Sequence, residues 1–177
     1  MFKIITSCVC AAAIVFGSVT YDPFGTWLLQ YEKKFEWVAE STIDLITGFE
    51  GYRTKAYQDQ KGNWTIGVGH LIRSQDRYML HRELSDTEVR GLLHRDLEKC
   101  SEALKTALNV PVTRTQSDAL HSPCHNIGPD RMVSSNVIKH MNNNQPQKAA
   151  DAFMEWTKPA VLKRRRQAER AVFLAEI

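Results

Sequence analysis

The chain lacks the residue patterns that hold metals or nucleic acids. Its four cysteines lie at positions 8, 10, 100 and 124, and none of their spacings resembles a zinc site or a redox pair. The net charge is a mild +3 at pH 7, with no zinc finger, helix-turn-helix signature or phosphate loop beside it. Such a charge favours an acidic surface, such as a cell-wall polymer, and gives no argument for nucleic-acid binding. The sequence therefore predicts no metal, no cofactor and no nucleic-acid partner.

Charged residues are also missing from positions 4–21, directly after Lys3 and the terminal amine. These eighteen residues are just enough to span a bilayer, but more than half are Ser, Thr, Cys, Ala or Gly, which favour the hydrocarbon only weakly. A cleavable signal peptide shares this layout, yet the small residues at 11–13 lie too early for a cleavage site. We expect an uncleaved membrane anchor within residues 1–27 that is able to leave the bilayer.

An apolar stripe at helical spacing follows the uncharged segment, at Phe24, Leu28, Tyr31, Phe35 and Val38. Two interpretations of the stripe stay open. It packs against the globular body, or it lies on the membrane until the anchor is released.

Residues 28–177 have the composition of one folded domain, since the whole chain is 43% apolar and 24% charged. A helical pattern covers residues 36–49 and ends between two glycines, which places Glu50 at the C-terminal end of the helix. A β-branched and aromatic stretch at 56–68 then predicts a small antiparallel sheet with a turn at 61–63.

Helices dominate the remainder of the chain. Ser85 and Glu88 form a capping-box sequence at the start of a long helix that should end near Leu108. Shorter helical patterns follow it at 115–122, 134–141, 147–156 and 162–174. One small sheet beside many helices predicts an α+β fold. The expected parts are a first lobe over 36–84, a connecting helix over 85–108 and a helical lobe over 109–177.

Three side chains that suit glycoside hydrolysis lie close together in the sequence. Glu50, Asp59 and Thr65 are separated by nine and then six residues. They cannot share one helix face, because glycines interrupt any helical register between them. A hairpin after Glu50 would let the Asp and the Thr face the Glu across a cleft, with an acid on one side of a sugar and a second group on the other.

These residues belong to a longer series of matches that resembles the phage-type lysozymes, which are endolysin glycoside hydrolases. The Glu-eight-Asp-five-Thr spacing and the strand TIGVGH at 65–70 resemble that family's catalytic segment and its TxGxGH strand. The segment QSDALHSPCHNIG at 116–128 is similar to its QxDALxSxxxNxG pattern, and Trp156 followed by RRQAE at 165–169 resembles its ending. The resemblance covers residues 40–175 and implies a lysozyme-like fold.

The resemblance implies hydrolysis of the β-1,4 bond between N-acetylmuramic acid and N-acetylglucosamine in peptidoglycan. Glu50 would be the general acid, kept protonated by a poorly solvated site. Asp59 would stay ionised and stabilise the sugar cation or activate water, while Thr65 would hold that water and give an inverting outcome. Asn126 would contact the glycan, although Pro123 and His125 stand before it where the family usually has aromatics.

Two rival classes of function stay open beside this one, one without and one with enzymatic activity. A membrane-anchored wall-binding protein would grip glycan without cutting it, and the intact Glu50 argues against that. A chitinase or a lytic transglycosylase would also cut a glycan, but the transglycosylase would leave an anhydro-muramic end and would need neither Asp59 nor Thr65.

Two further features have a structural interpretation. By the resemblance, His70 pairs with Asp96 of the following long helix and supports the fold instead of taking part in the chemistry. Arg164, Arg165 and Arg166 point in different directions on a helix, so the sequence predicts a solvated or salt-bridged helix and not a nucleic-acid patch.

Control by membrane position is the last implication of the resemblance. Some phage lysozymes carry a signal-anchor-release segment, which holds the enzyme inactive at the host inner membrane and releases it into the periplasm on depolarisation. Residues 4–21 resemble such a segment, and no cysteine lies near Glu50 to act as a redox lock. We expect Cys8 or Cys10 to pair with Cys100 or Cys124 after release, or Cys100 and Cys124 to be buried free thiols. The released enzyme is expected to be a monomer.

Overall fold

The structure is mainly helical, with one small sheet near the start of its described part. The computed structural model describes residues 37–59 and 62–177, so the expected anchor within residues 1–27 lies outside the described residues. Over the two described ranges, no helix is long and apolar enough to cross a membrane.

The order of elements confirms the predicted α+β class. In chain order they are α1 (Glu40–Glu50), β1 (Arg53–Gln58), β2 (Trp64–Gly67), β3 (His70–Leu71), a first 3₁₀ helix (Ser74–His81), α2 (Asp86–Ala107), α3 (Arg114–Ile127), α4 (Pro129–Val133), α5 (Asn136–Asn142), α6 (Pro146–Ala152), a second 3₁₀ helix (Phe153–Trp156) and α7 (Leu162–Leu174).

Helix α1 carries Glu50 as its last residue. The helix begins at Glu40 and not at the predicted residue 36, and the Ala39 N–H donates to the Thr42 hydroxyl (3.3 Å) at its start. Gly51 ends the helix with φ of +81°, a backbone conformation that side chains disfavour. The chain therefore turns sharply just after the Glu50 side chain and enters the sheet.

The sheet is a three-stranded antiparallel meander in the order β1-β2-β3. Thr65 of β2 lies opposite Tyr57 of β1. The hairpin between these strands turns at Gly62, whose N–H donates to the Asp59 carbonyl (2.9 Å) with φ of +80°. The predicted sheet and its turn are confirmed.

Helix α2 is the long connecting helix that the sequence predicts. The Ser85 hydroxyl accepts from the Glu88 N–H (3.3 Å), and the Glu88 carboxylate accepts from the Ser85 N–H (2.8 Å), which completes the capping box. Its first half buries Val89 and Leu93 in a front core shared with α1 and the sheet. Its second half buries Leu104 in a rear core built by the later helices. One helix therefore carries side chains of both cores.

Helix α3 is longer than the sequence predicts. The pattern indicated an end at Ser122, before Pro123, but the helix continues to Ile127. Proline removes one backbone donor from the helix. Leu120 and Cys124 on either side are fully buried in the rear core, and this packing holds the helix together across the proline.

The remaining helices vary in how well the sequence predicts them. Helix α7 has the predicted bounds, and α5 and α6 lie within one or two residues of the predicted starts. The first 3₁₀ helix and the five-residue α4 are additions, because neither shows a helical period of apolar residues.

A disulfide joins Cys100 of α2 to Cys124 of α3, with their Cα atoms 5.9 Å apart. The expected pairing of either residue with Cys8 or Cys10 is wrong, and so is the alternative of two free thiols. The two sulfurs meet because α2 and α3 pack together in the rear core, although the residues lie 24 positions apart in the sequence. Cys8 and Cys10 lie outside the described residues.

Candidate active site

The Glu50 carboxyl group faces the last helix and the turn between β2 and β3. Its Oε1 accepts a hydrogen bond from Arg165 Nη1 (2.6 Å), and Arg165 also lies over the Phe49 ring at 5.1 Å. A Cβ atom added to Gly69 would lie 3.9 Å from Glu50 Oε2. The Glu50 side chain is 25% exposed, so the expected poorly solvated setting is only partly met. The sequence did not predict Arg165 as a site residue, although it stands in the motif RRQAE.

Asp59 and Thr65 meet at a common neighbour, Asn63. Asp59 Oδ1 accepts from the Asn63 N–H (2.8 Å), and Asp59 Oδ2 accepts from its Nδ2 amide (3.1 Å). The buried Thr65 hydroxyl donates to the Asn63 carbonyl (3.3 Å). The hairpin therefore brings two of the three predicted residues to one point. Glu50 stands at the end of α1, before β1 begins, and its carboxyl group accepts from Arg165.

A buried network of charges lies behind Glu50 on helix α7. Glu169 is fully buried and accepts from Arg165 Nε (3.0 Å) and Arg166 Nη1 (2.7 Å). Arg166 Nη2 donates to Asn126 Oδ1 (2.6 Å), which ties the predicted glycan contact to the same network. Burial raises the pKa of Glu169, and its arginine partners act in the opposite direction. The predicted helix is thus salt-bridged, but Arg165 and Arg166 are buried and not solvated.

His70 lies between two carboxylates. Its Nδ1 lies 2.8 Å from Asp96 Oδ2, and its Nε2 lies 3.5 Å from Asp76 Oδ2. The hydrogen bond with Asp96 raises the pKa of His70, burial opposes this shift, and the charges of Asp96 and Asp76 add to it. The predicted His70–Asp96 pair is present in the structure, and its supporting role stays a prediction.

His125 is the second histidine beside the candidate site. It lines a cavity of about 560 Å³ together with Gly69, His70 and Asp96. Burial lowers the pKa of His125, while the charges of Glu50 and Asp96 act to raise it. The sequence singled out this position only as a departure from the aromatic residues usual in the family.

Replacing His70 by Asn is expected to lower stability most at acid pH. Pairing raises the folded-state pKa above the unfolded value of about 6.5. The stabilisation is therefore fully present below that value and is lost as pH rises through the folded-state pKa. Thermal unfolding should show a loss of about 1.5–3 kcal/mol at acid pH and a smaller loss in alkaline buffer, with appreciable activity kept.

The exposed His81 of the first 3₁₀ helix provides a matched control. His81→Asn should change the unfolding temperature little at either pH. A folded His70→Asn enzyme with almost no turnover would contradict a supporting role, as would an equal stability loss at both pH values.

The fold and the site together define a class of protein. A helix ending in a carboxyl group, a small meander sheet and a long helix shared by two cores form the architecture of a lysozyme-type glycoside hydrolase. The chain belongs to the phage lysozyme family, whose model matches residues 47–169. It is therefore a lysozyme of the endolysin type, and peptidoglycan is the substrate that the family implies.

Relatives and solved structures agree with this assignment. The endolysin of Salmonella phage P22 is 38% identical over 143 residues, which cover 78% of this chain and 98% of that protein. The endolysin of Acyrthosiphon pisum secondary endosymbiont phage 1 is 33% identical over 145 residues, or 77% of this chain and 97% of that protein. A P22 lysozyme mutant with a known crystal structure is 34% identical in sequence and superposes with a TM-score of 0.73. The match covers 79% of this chain and 99% of the mutant's chain. The lysozyme-like prediction is confirmed.

A second group of relatives consists of proteins named SAR-endolysins. The SAR-endolysin of Enterobacteria phage P21 is 27% identical over 110 residues, which cover 62% of this chain and 65% of that protein.

Proposed function

We propose that this lysozyme hydrolyses the β-1,4 bond between N-acetylmuramic acid and N-acetylglucosamine, with Glu50 as the general acid. The carrying observation is the placement of the Glu50 carboxyl group. Arg165 donates a hydrogen bond to Glu50 Oε1, so a proton on Oε2 leaves that hydrogen bond intact. A Cβ atom at Gly69 would lie 3.9 Å from Oε2, so the lack of a side chain at this residue leaves room beside Oε2 for a glycosidic oxygen. A proton donor needs this combination of a fixed carboxyl group and an open face.

The second half of the proposed reaction belongs to the hairpin. Both Asp59 oxygens accept from N–H donors of Asn63, an arrangement that suits an ionised carboxylate. Thr65 lies next to the same residue and would hold the attacking water beside Asp59. A water activated on the face opposite the acid gives inversion at the anomeric carbon.

Product analysis of the full-length enzyme on purified peptidoglycan tests this proposal. We expect fragments with reducing N-acetylmuramic acid ends by mass spectrometry, and α-anomers in the earliest NMR spectra, because the substrate bond is β. Anhydro-muramic ends would identify a lytic transglycosylase. New N-acetylglucosamine ends would show that a different bond is cut, and binding without products would leave a wall-binding protein.

We further propose that residues 4–21 anchor the enzyme in the host inner membrane before it acts as a monomer in the periplasm. Three observations support this: the uncharged but weakly apolar composition, the SAR-endolysin relatives and the Cys100–Cys124 disulfide. Disulfides persist in oxidising compartments, and the cytosol keeps thiols reduced.

Fractionation of cells that express the full chain tests the anchor. Depolarising the membrane should move the protein from the membrane to the periplasmic fraction with its full mass unchanged. Replacing Ala11, Ala12 and Ala13 by Leu should keep it in the membrane, since each Leu favours the hydrocarbon more than Ala does. A shortened periplasmic form would show cleavage and contradict release of an intact anchor.

A further inference from the structure

We propose that Glu169 is a positioning residue for this enzyme, because it holds the two arginines that in turn hold Glu50 and Asn126. The inference rests on the proposed roles of Glu50 and Asn126. It adds a fully buried residue of α7 that sets the geometry at both of them through the arginines.

Glu169 has a full set of partners within the buried network. Its Oε1 accepts from Arg165 Nε (3.0 Å) and from the Ser122 hydroxyl (2.6 Å), and its Oε2 accepts from Arg166 Nη1 (2.7 Å). Glu169 and Arg166 have no exposed surface, and Arg165 is 7% exposed. Two guanidinium groups buried side by side would repel each other, so the carboxylate between them offsets one of their charges.

Each arginine directs another of its donors to a residue of the site. Arg165 donates through Nη1 to Glu50 Oε1 (2.6 Å), and Arg166 donates through Nη2 to Asn126 Oδ1 (2.6 Å). A guanidinium group is a rigid planar fork, so a bond on one edge fixes the direction of the donors on the other. Arg165 Nη2 also donates to the carbonyl (3.1 Å) and the hydroxyl (3.2 Å) of Ser122. Glu169 therefore fixes the direction of Arg165 together with Ser122, and it fixes the direction of Arg166 through Nη1.

The two arginines are expected to affect different kinetic constants. Misplacing Arg165 moves the proton donor and should lower kcat, because small errors in catalytic geometry are costly. Misplacing Arg166 frees Asn126 and should raise KM, because the glycan loses a fixed contact. A side chain that only stabilised the fold would change neither constant in the folded enzyme at a temperature well below its unfolding transition.

The test is a double-mutant cycle in the full-length enzyme on peptidoglycan, with folding checked by circular dichroism. Glu169→Gln keeps the shape but removes the charge, and it should lower kcat about 10–100-fold and raise KM severalfold. Arg165→Lys removes the planar fork, so no rigid group links Glu169 to Glu50. In the Arg165→Lys background, Glu169→Gln should cause a further loss of kcat of less than about twofold. Both changes break the same link, which runs from Glu169 through Arg165 to Glu50.

Asp151→Asn is the matched control, since it weakens the ion pair between Asp151 of α6 and Arg170 of α7 without touching the network. It should leave kcat and KM unchanged. If Glu169→Gln does not fold, Ser122→Ala removes the hydroxyl that donates to Glu169 and accepts from Arg165 Nη2. It should lower kcat severalfold, again only where Arg165 is intact.

A folded Glu169→Gln enzyme with wild-type kcat and KM would overturn the positioning role, and so would losses that multiply in the double mutant. Glu50→Gln is measured in the same assay to separate the two proposals. An inactive Glu50→Gln beside an unaffected Glu169→Gln rejects only the positioning role. A fully active Glu50→Gln rejects the proposed function and, with it, the positioning role.

Discussion

Glu50→Gln is expected to lower the turnover of peptidoglycan about 100- to 10,000-fold, the usual contribution of a general acid. The amide keeps the size of the side chain and an oxygen that accepts from Arg165 Nη1. It has no proton to give to the leaving oxygen at neutral pH. The loss should therefore appear in kcat, with KM nearly unchanged. The measurement is the rate at which reducing ends are released from purified peptidoglycan.

A substitution at the other end of α1 separates chemistry from helix stability. Glu40 is exposed and pairs with Arg90, far along the helix from the carboxyl end. Glu40→Gln should keep wild-type turnover, and both variants should unfold within a few degrees of the wild type. A folded Glu50→Gln enzyme with turnover close to that of Glu40→Gln would remove Glu50 from the chemistry.

Local signals in the sequence predict the start of α2 and the turn of the hairpin that carries Asp59. The capping box at Ser85 and Glu88 marks the start of α2 because both hydrogen bonds lie within one turn of the chain. The glycine in the hairpin marks its turn because the backbone there has a positive φ. Such signals depend on neighbours in sequence, so one chain is enough to detect them.

Pairings between positions that are distant in the sequence account for most of the differences between the sequence-based predictions and the structure. Arg165 contacts Glu50, which lies 115 residues earlier, and no local pattern carries that contact. The Cys100–Cys124 bond depends in the same way on how two helices pack. The end of α3 differs because burial on both sides of Pro123 outweighs the local cost of the proline. Charge and hydropathy patterns alone therefore misplaced these side chains.

Removing the Cys100–Cys124 cross-link is expected to lower the free energy of unfolding by about 2–4 kcal/mol. The bond closes a loop between positions 24 residues apart, and in the chain-entropy account it restricts the unfolded chain. For a protein of this size the change corresponds to about 5–15 °C in Tm. The measurement is thermal unfolding of a Cys100→Ala/Cys124→Ala double variant, with Cys8 and Cys10 replaced by Ser in every sample.

Chemical reduction of the otherwise unchanged protein separates the contribution of the cross-link to stability from that of side-chain packing. A reductant breaks the bond while leaving both sulfurs in the rear core, so it should produce most of the loss, whereas the double alanine variant should not respond to it. Peptide mapping of periplasmic protein that finds both thiols free would contradict the pairing. Equal unfolding temperatures with and without the mapped bond would show that it adds no stability. A positive result implies that the enzyme reaches full stability only in an oxidising compartment, where peptidoglycan lies.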